Sequence, residues 1–375
     1  MPYEKGTSLR LELLQVCPNS PIPTSTPVCE AIIIESLGMT MSLVVKVHVK
    51  LEPPSPGFTA VLKLYDRRFG TTLRREVTGP SQKFEPYPHT TAIEAAYRDF
   101  IRKEDLGAFL HDVEQENRAS IWQVSPRDFL DGSPEGLAKY EAVTWHMCQE
   151  YFDRETRAYA KLSELQGKAI PRLYAHVRLS LPQNNIVPCP PDLLERPEIR
   201  QYFEVKGILI ELVDGYELSA LVESTTPPSD PEKWQDIIQA AVDRAHEVNC
   251  HGVRMTDCSI YNVVVDKQSH QPFIIDLAQC GFIEEMYEDD EDEESSADEE
   301  AEDDDQQGSE GGYADSLVVD PDPEVRYWDS VRAVHNPGAI GAVIQKRLGR
   351  EKGVTITPKY PDYDAIIAAI RQKRE

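Results

Sequence analysis

Two neighbouring stretches, HGVRMTDCSIYNVVVD at 251–266 and PFIIDLAQC at 272–280, carry most of the chemical information in the chain. In the first, Asp257 is followed five positions later by Asn262, which enters the β-branched run Val263-Val264-Val265. In the second, Asp276 ends the apolar run Phe273-Ile274-Ile275 and leads into Leu277-Ala278, 276 − 262 = 14 positions beyond Asn262. An Asp and an Asn at this spacing can simply make turn hydrogen bonds. A second Asp at the end of an apolar strand supplies the context that a short motif needs. Just upstream, Asp230-Pro231 is a helix start, a carboxylate N-cap followed by proline at the first helical position. Trp234, Ile237, Ile238, Ala241, Val242 and Ala245 then recur at helical spacing and predict an amphipathic helix.

Outward from this centre the pattern changes period. Ala31-Ile32-Ile33-Ile34, Val44 to Lys50 and Phe58 to Tyr65 read as strands of an antiparallel meander, with the proline-rich turn 52–57 between the last two. Residues 1–28 hold Pro2, Pro18, Pro21, Pro23 and Pro27 and read as a loose leader; residues 66–134 read as an insertion packed on the meander. A long helix is expected from about 135 to 165, ended by Gly167 and Pro171. Ile170 to Leu181 reads as a strand, 182–200 as a proline-rich loop, and Val205 to Val213 as a buried strand. His251-Gly252-Val253, Asn262 to Val265 and Pro272 to Asp276 are short strands, and Ile340 to Leu348 and Asp364 to Arg371 are closing helices.

With these pieces placed, the chain resembles the protein-kinase-like superfamily, whose catalytic loop reads H-x-D-x-x-x-x-N and whose metal loop reads D-F-G. It is most similar to the divergent fungal kinase-like proteins that stand between protein kinases and aminoglycoside-phosphotransferase-like enzymes. The resemblance covers about residues 30–280. It implies an α+β, two-lobed protein-kinase-like fold, with an antiparallel-sheet N-lobe at 29–215 and a reduced, mostly helical C-lobe at 216–375. It also implies ATP and Mg²⁺ as cofactors. Asp257 would orient the acceptor hydroxyl and accept its proton, while Asn262 and Asp276 would hold Mg²⁺. Lys63, at the end of Ala60-Val61-Leu62-Lys63, matches the V-A-I-K strand and would pair with the α- and β-phosphates. That lysine needs a carboxylate. Glu155 lies on the apolar stripe with Tyr151, Ala158 and Tyr159, where an unpaired charge is costly; Glu150 is its rival on the same helix. The strand 207–213 resembles the kinase hinge, so the backbone of Glu211 and Val213 would bond adenine, with Ile210 as gatekeeper.

The sequence also departs from the family. The turn Ser36-Leu37-Gly38-Met39-Thr40-Met41-Ser42 has one glycine where G-x-G-x-x-G has three, leaving the Thr40 and Ser42 hydroxyls to meet phosphate. Met255 and Thr256 stand at the His and Arg of H-R-D, Ala278 at the glycine of D-F-G, and Asp322-Pro323-Glu324 is a poor echo of A-P-E. Two readings of the cleft stay open: a phosphotransferase with an unknown protein or small-molecule acceptor, or a pseudokinase that keeps the fold for nucleotide binding or docking.

The 375 residues carry a net charge of −26, which argues against nucleic acid or anionic membrane as partner. Residues 284–310 hold 17 Asp or Glu and no Lys or Arg, leaving about −9 for the remainder. This acidic insert is expected to be disordered, as its composition cannot bury a core. Ser295 and Ser296, each with an acid three residues on, fit acidophilic kinases, and the insert could dock basic proteins. A third reading therefore makes the chain an acidic binder of basic, histone-like proteins. No apolar run is long enough to span a membrane, and the start lacks the apolar core of a secretory signal. Seven scattered cysteines with no C-x-x-C pair suit reduced thiols in cytoplasm or nucleus.

Overall fold

The period-2 runs become a closed sheet. The computed structural model describes residues 2–51, 56–78, 83–103, 105–120, 123–180, 190–223, 227–287 and 320–374. The chain divides into two units, Met1–Thr156 with Arg172–Leu212, and Arg157–Pro171 with Val213–Glu375. The first unit holds β1 (Ser8–Val16), β2 (Val28–Met39), β3 (Leu43–Lys50), β4 (Phe58–Tyr65), β5 (Arg75–Thr78), β6 (Lys83–Pro86), α1 (Thr91–Arg102), α2 (Asp105–Ala119), most of α3 (Pro134–Lys161), β7 (Leu173–Leu179), the short α4 (Pro191–Leu194) and α5 (Pro197–Arg200), and β8 (Lys206–Glu211). The molecule is thus a mixture of helix and antiparallel sheet.

Strands β1, β2, β3, β4, β8 and β7 pair antiparallel in that order, and β7 returns to β1 to close a barrel. Alternate residues such as Ile33, Val45, Val47, Leu62, Leu64 and Val177 fill its interior. This corrects the expectation for 1–28. Residues 8–16 are no leader: Leu9 and Leu11 are fully enclosed, and Arg10 and Glu12 alternate with them. The Tyr3 hydroxyl also donates to Asp66 at 2.6 Å, so the chain is held before the strand begins. Strand β2 runs past the apolar run Ala31–Ile34 to Met39, through bulges at Ile33/Glu35 and Ser36/Gly38. Part of the proline-rich loop expected at 182–200 is helical, as α4 and α5; residues 182–189 lie outside the described residues.

The insertion at 66–134 packs on the barrel through Tyr97, Phe100, Ile101 and Leu106. A buried ionic cluster fixes it. Arg67 donates to Glu94 at 2.6 Å and to Glu141, Arg74 reaches Glu141 at 2.6 Å, and Arg98 and His89 add to Glu94 at 2.9 and 3.0 Å. Burial opposes ionisation of Glu94, but the Arg67 charge and the bonds from His89 and Arg67 outweigh it and hold the carboxyl down at about 2.

The second unit holds β9 (Gly215–Glu217), α6 (Pro231–Cys250), β10 (Val253–Met255), β11 (Val263–Asp266), β12 (Pro272–Ile274), β13 (Cys280–Phe282), α7 (Pro323–Ala333), α8 (Gly338–Lys352) and α9 (Tyr363–Arg374). Strands β12, β11 and β9 form one small sheet, β10 and β13 another. In α6 the Asp230 side chain accepts from the Glu232 N–H at 3.0 Å, and the whole stripe from Trp234 to Ala245 is buried as its spacing predicts. Asp322-Pro323 proves to be a second start of the same kind, with Asp322 accepting from the Glu324 N–H at 2.9 Å. Helices α7 and α9 share a core of Val325, Tyr327, Trp328, Val331, Ile367 and Ile370. Of the acidic insert, Glu284 pairs with Lys161 and, at 3.3 Å, with Arg157; residues 288–310, Ser295 and Ser296 among them, lie outside the described residues. No described helix is long and apolar enough to cross a membrane.

Two measurements test this packing. Leu11→Ala empties an enclosed barrel position and is expected to cost about 2–5 kcal/mol in chemical denaturation. Leu14→Ala, on an exposed position of the same strand, should cost less than about 0.5 kcal/mol; equal small effects would mean that residues 8–16 are not part of the barrel. Glu94 titrates near 4.5 when unfolded and about 2 when folded. Its contribution to stability is complete above the unfolded value and is lost as pH falls through the folded one. Stability should therefore decline between these values, and less steeply in Glu94→Gln.

Candidate functional site

The first unit places Lys63 by alternation. Ala60, Leu62 and Leu64 of β4 point into the barrel, so Val61, Lys63 and Tyr65 face outward. Lys63 is only 4% exposed and meets Glu155, 1% exposed, with 2.9 Å between Nζ and Oε2. The ion pair expected from the helix stripe is therefore present, and it joins β4 to α3. Glu150, the rival, is half-buried beside His146. The same Glu155 oxygen also accepts from the Tyr65 hydroxyl, a partner the sequence reading missed although Tyr65 shares the outward face with Lys63. On β8, Gly207 lets the backbone come close: a Cβ there would stand 2.3 Å from the Lys63 carbonyl oxygen.

The turn expected to meet phosphate is built differently from a glycine loop. Met39 already pairs with Leu43, and residues 70–72 hold the tip. The Thr71 N–H and hydroxyl donate to the Met39 carbonyl at 3.2 and 2.8 Å, and the Thr72 N–H donates to the Thr40 carbonyl at 3.0 Å. Gly70 permits this approach, with φ of +133° and no room for a Cβ near Thr40. Ser42 is buried at 2% exposure, whereas Thr40 is exposed, so only Thr40 of the expected hydroxyl pair is open. At the end of β8 the Glu211 N–H is already given to the Arg172 carbonyl at 2.8 Å. The Glu211 carboxylate takes the Arg172 N–H at 3.0 Å and its guanidinium. The Glu211 N–H is therefore not open to adenine. Ile210 is buried, and Val213, where the chain re-enters the second unit, is half-buried.

In the second unit the three remaining residues converge. Asp257, Asn262 and Asp276 line one pocket together with Met255, Cys258, Ser259, Ile274, Ile275 and Ile340. The Asn262 side-chain amide donates to the Asp257 carbonyl at 2.9 Å and to its carboxylate at 3.0 Å. The Ile275 N–H donates to the Asn262 carbonyl at 2.9 Å, tying the two loops. Asp276 has φ of +61°, a left-handed conformation that Asp tolerates better than most residues and that clusters at functional sites. Ala278 is not among the described residues of positive φ, so its methyl imposes no such strain. Burial, and then the adjacent Asp257 charge, push the Cys258 thiol up to about 12.

The donor set suits a hard cation. Asp276 offers carboxylate oxygens and Asn262 an amide oxygen once its N–H groups face Asp257. Among the described residues no three His, Cys, Asp or Glu side chains form a metal cage. Magnesium needs none, as it is commonly held by one or two carboxylates with waters and substrate phosphates.

Neither a family model nor a curated protein matches the chain. Among solved structures, 34% of it is similar to 49% of a WaaP chain determined in complex with acyl carrier protein, at 18% identity and a TM-score of 0.24. The Mycobacterium tuberculosis PknI kinase domain matches 66% of this chain over 58% of its own, at 13% identity and a TM-score of 0.30. The chain thus spans about half to three-fifths of these matched chains.

Truncating Glu155 tests the pairing. Glu155→Ala leaves the Lys63 ammonium buried and uncompensated, a loss of about 3–5 kcal/mol in denaturant unfolding. Glu150→Ala, at a half-buried surface position, should cost far less, about 0.5 kcal/mol or below. The reverse order would reassign the lysine's partner.

Proposed function

We propose that the protein is an ATP-dependent phosphotransferase of protein-kinase-like build, whose acceptor is a hydroxyl on a protein or small molecule. The observation that carries this reading is that Asp257, Asn262 and Asp276 lie close together in the second unit, with the Asn262 amide on the Asp257 carboxylate at 3.0 Å and the Ile275 N–H, next to Asp276, on the Asn262 carbonyl at 2.9 Å. Phosphoryl transfer asks the protein mainly for positioning and charge neutralisation. Asp257, exposed and oriented by the Asn262 amide, would align the acceptor hydroxyl and take its proton. Asn262 and Asp276 would present oxygens to Mg²⁺, which when bound neutralises charge building on the transferred phosphate. In the first unit, Lys63 would lend its ammonium to the α- and β-phosphates while Glu155 and Tyr65 keep it in place. Thr40 would give a hydroxyl to phosphate, and the Glu211 carbonyl and Val213 backbone would face adenine.

A second reading, a pseudokinase, draws on two particular observations. Residues 70–72 pin the turn that should close over phosphate, and the Glu211 N–H is already used. In that reading the fold binds a nucleotide or a partner without turnover.

Thermal unfolding with no ligand, ATP, and ATP with Mg²⁺ separates the readings from a scaffold that binds neither. Saturation at 100 times Kd adds about 2.7 kcal/mol. In a radiometric transfer assay, Asp257→Asn is expected to lose about 10²–10⁴-fold in rate with nucleotide binding kept. Asp276→Asn should lose Mg²⁺-dependent nucleotide binding as well. Equal residual signal in wild type, Asp257→Asn and Lys63→Met would leave the pseudokinase standing.

A further inference from the structure

We infer that Asn336, acting with Asn249, is the positioning residue for the Asp257 loop, replacing with side-chain amides the support that His and Arg give in H-R-D. The inference deepens the phosphotransfer reading, and only its kinetic arm rests on that reading. Strand β10 runs straight into the loop, since Met255 lies two residues before Asp257. Among the described residues it pairs with β13 alone, through Val253–Phe282, Arg254–Gly281 and Met255–Cys280, and no described third strand takes the carbonyls of Val253 and Met255. Asn249, on the last turn of α6, donates to the Val253 carbonyl at 3.0 Å. Asn336, in the turn after α7, donates to the Met255 carbonyl at 2.7 Å. The two amides also face each other, with 3.4 Å from Asn249 Nδ2 to Asn336 Oδ1. Together they satisfy the open edge of β10 as a neighbouring strand would.

Both asparagines are buried, at 0% and 1% exposure, so their amide N–H groups are given to these carbonyls rather than to water. Their own backbones are held in turn. The Tyr327 hydroxyl donates to the Asn249 carbonyl at 2.7 Å, the Asn336 N–H donates to Val331 at 3.2 Å, and the Tyr363 hydroxyl donates to the Asn336 carbonyl. The register so fixed reaches both loops. On the other edge the Thr256 N–H donates to the Gln279 carbonyl at 2.9 Å, between Asp257 and the Asp276 turn. One buried amide therefore sets where both aspartates emerge.

The test uses the full chain. Asn336→Asp keeps the shape and the acceptor but removes the donor, and Asn336→Leu removes both. Turnover is read as kcat and KM for ATP. Loop order is read independently, by peptide-resolved iodoacetamide labelling of Cys258, with exposed Cys250 as reference. In Asn336→Asp, kcat should fall about tenfold or more with KM for ATP held within about twofold, the pattern of a misplaced reacting group. Cys258 should label about tenfold faster, with Cys250 unchanged. If Asn336 variants do not fold, Tyr363→Phe, which loosens Asn336 by one hydrogen bond, must shift Cys258 in the same direction. Unchanged Cys258 labelling in folded variants overturns the inference, as does a KM rise with kcat intact. No turnover in the wild type sinks the phosphotransfer reading instead, and the labelling then decides the role of Asn336 alone.

Discussion

One carboxylate oxygen, Oε2 of Glu155, receives the Lys63 ammonium and the Tyr65 hydroxyl, and the first unit is organised around that meeting. Both donors stand on one face of β4, and the other face fills the barrel. The core and the ion pair are therefore a single constraint. Slipping β4 by one residue would drive Lys63 among the leucines and expose Leu62 and Leu64. Gly207 belongs to the same constraint, as any side chain there would push β8 off the Lys63 backbone. Desolvating two charges is repaid only when geometry is good and the remaining lone pairs are satisfied. The tyrosine supplies one of those bonds.

Much of this was legible because apolar period and capping chemistry are local. The α6 stripe and its Asp230-Pro231 start follow from spacing, and Glu155 follows from the cost of a charge on an apolar stripe. Other features had signals that were masked by their neighbours. Ser8-Leu9-Arg10-Leu11-Glu12-Leu13 alternates as strictly as β3, but the prolines from 18 to 27 gave the whole segment the look of a leader. Asp322-Pro323 is the same start signal as Asp230-Pro231, hidden by comparison with a motif. The pinning of the Met39–Ser42 turn by residues 70–72 and the bond from Asn336 to Met255 could not be read at all. They join residues about 30 and 81 positions apart with no periodicity.

Set beside the kinase motifs that the sequence resembles, its differences take on a physical meaning in the fold. A single glycine serves the turn from Ser36 to Ser42 because residues 70–72 already fix it, so freedom of the backbone is not what the turn needs. Ala278 does not sit at the strained position, which falls on Asp276. Met255 puts apolar bulk into β10, where it is buried, and the polar contacts of that strand fall to backbone carbonyls and distant amides.

The barrel has one further consequence, for recognition. A sheet with free edges can be extended by an incoming peptide that adds itself as a strand, reading backbone rather than sequence. Here the N-terminal strand occupies both edges that would otherwise lie between β2 and β7, and a closed barrel offers no such template. Any protein that engages this barrel must do so through side chains on its outer surface or through the attached helices. Selectivity toward such a protein is then written in surface residues free to vary, while the hydrogen-bonded framework beneath them stays the same.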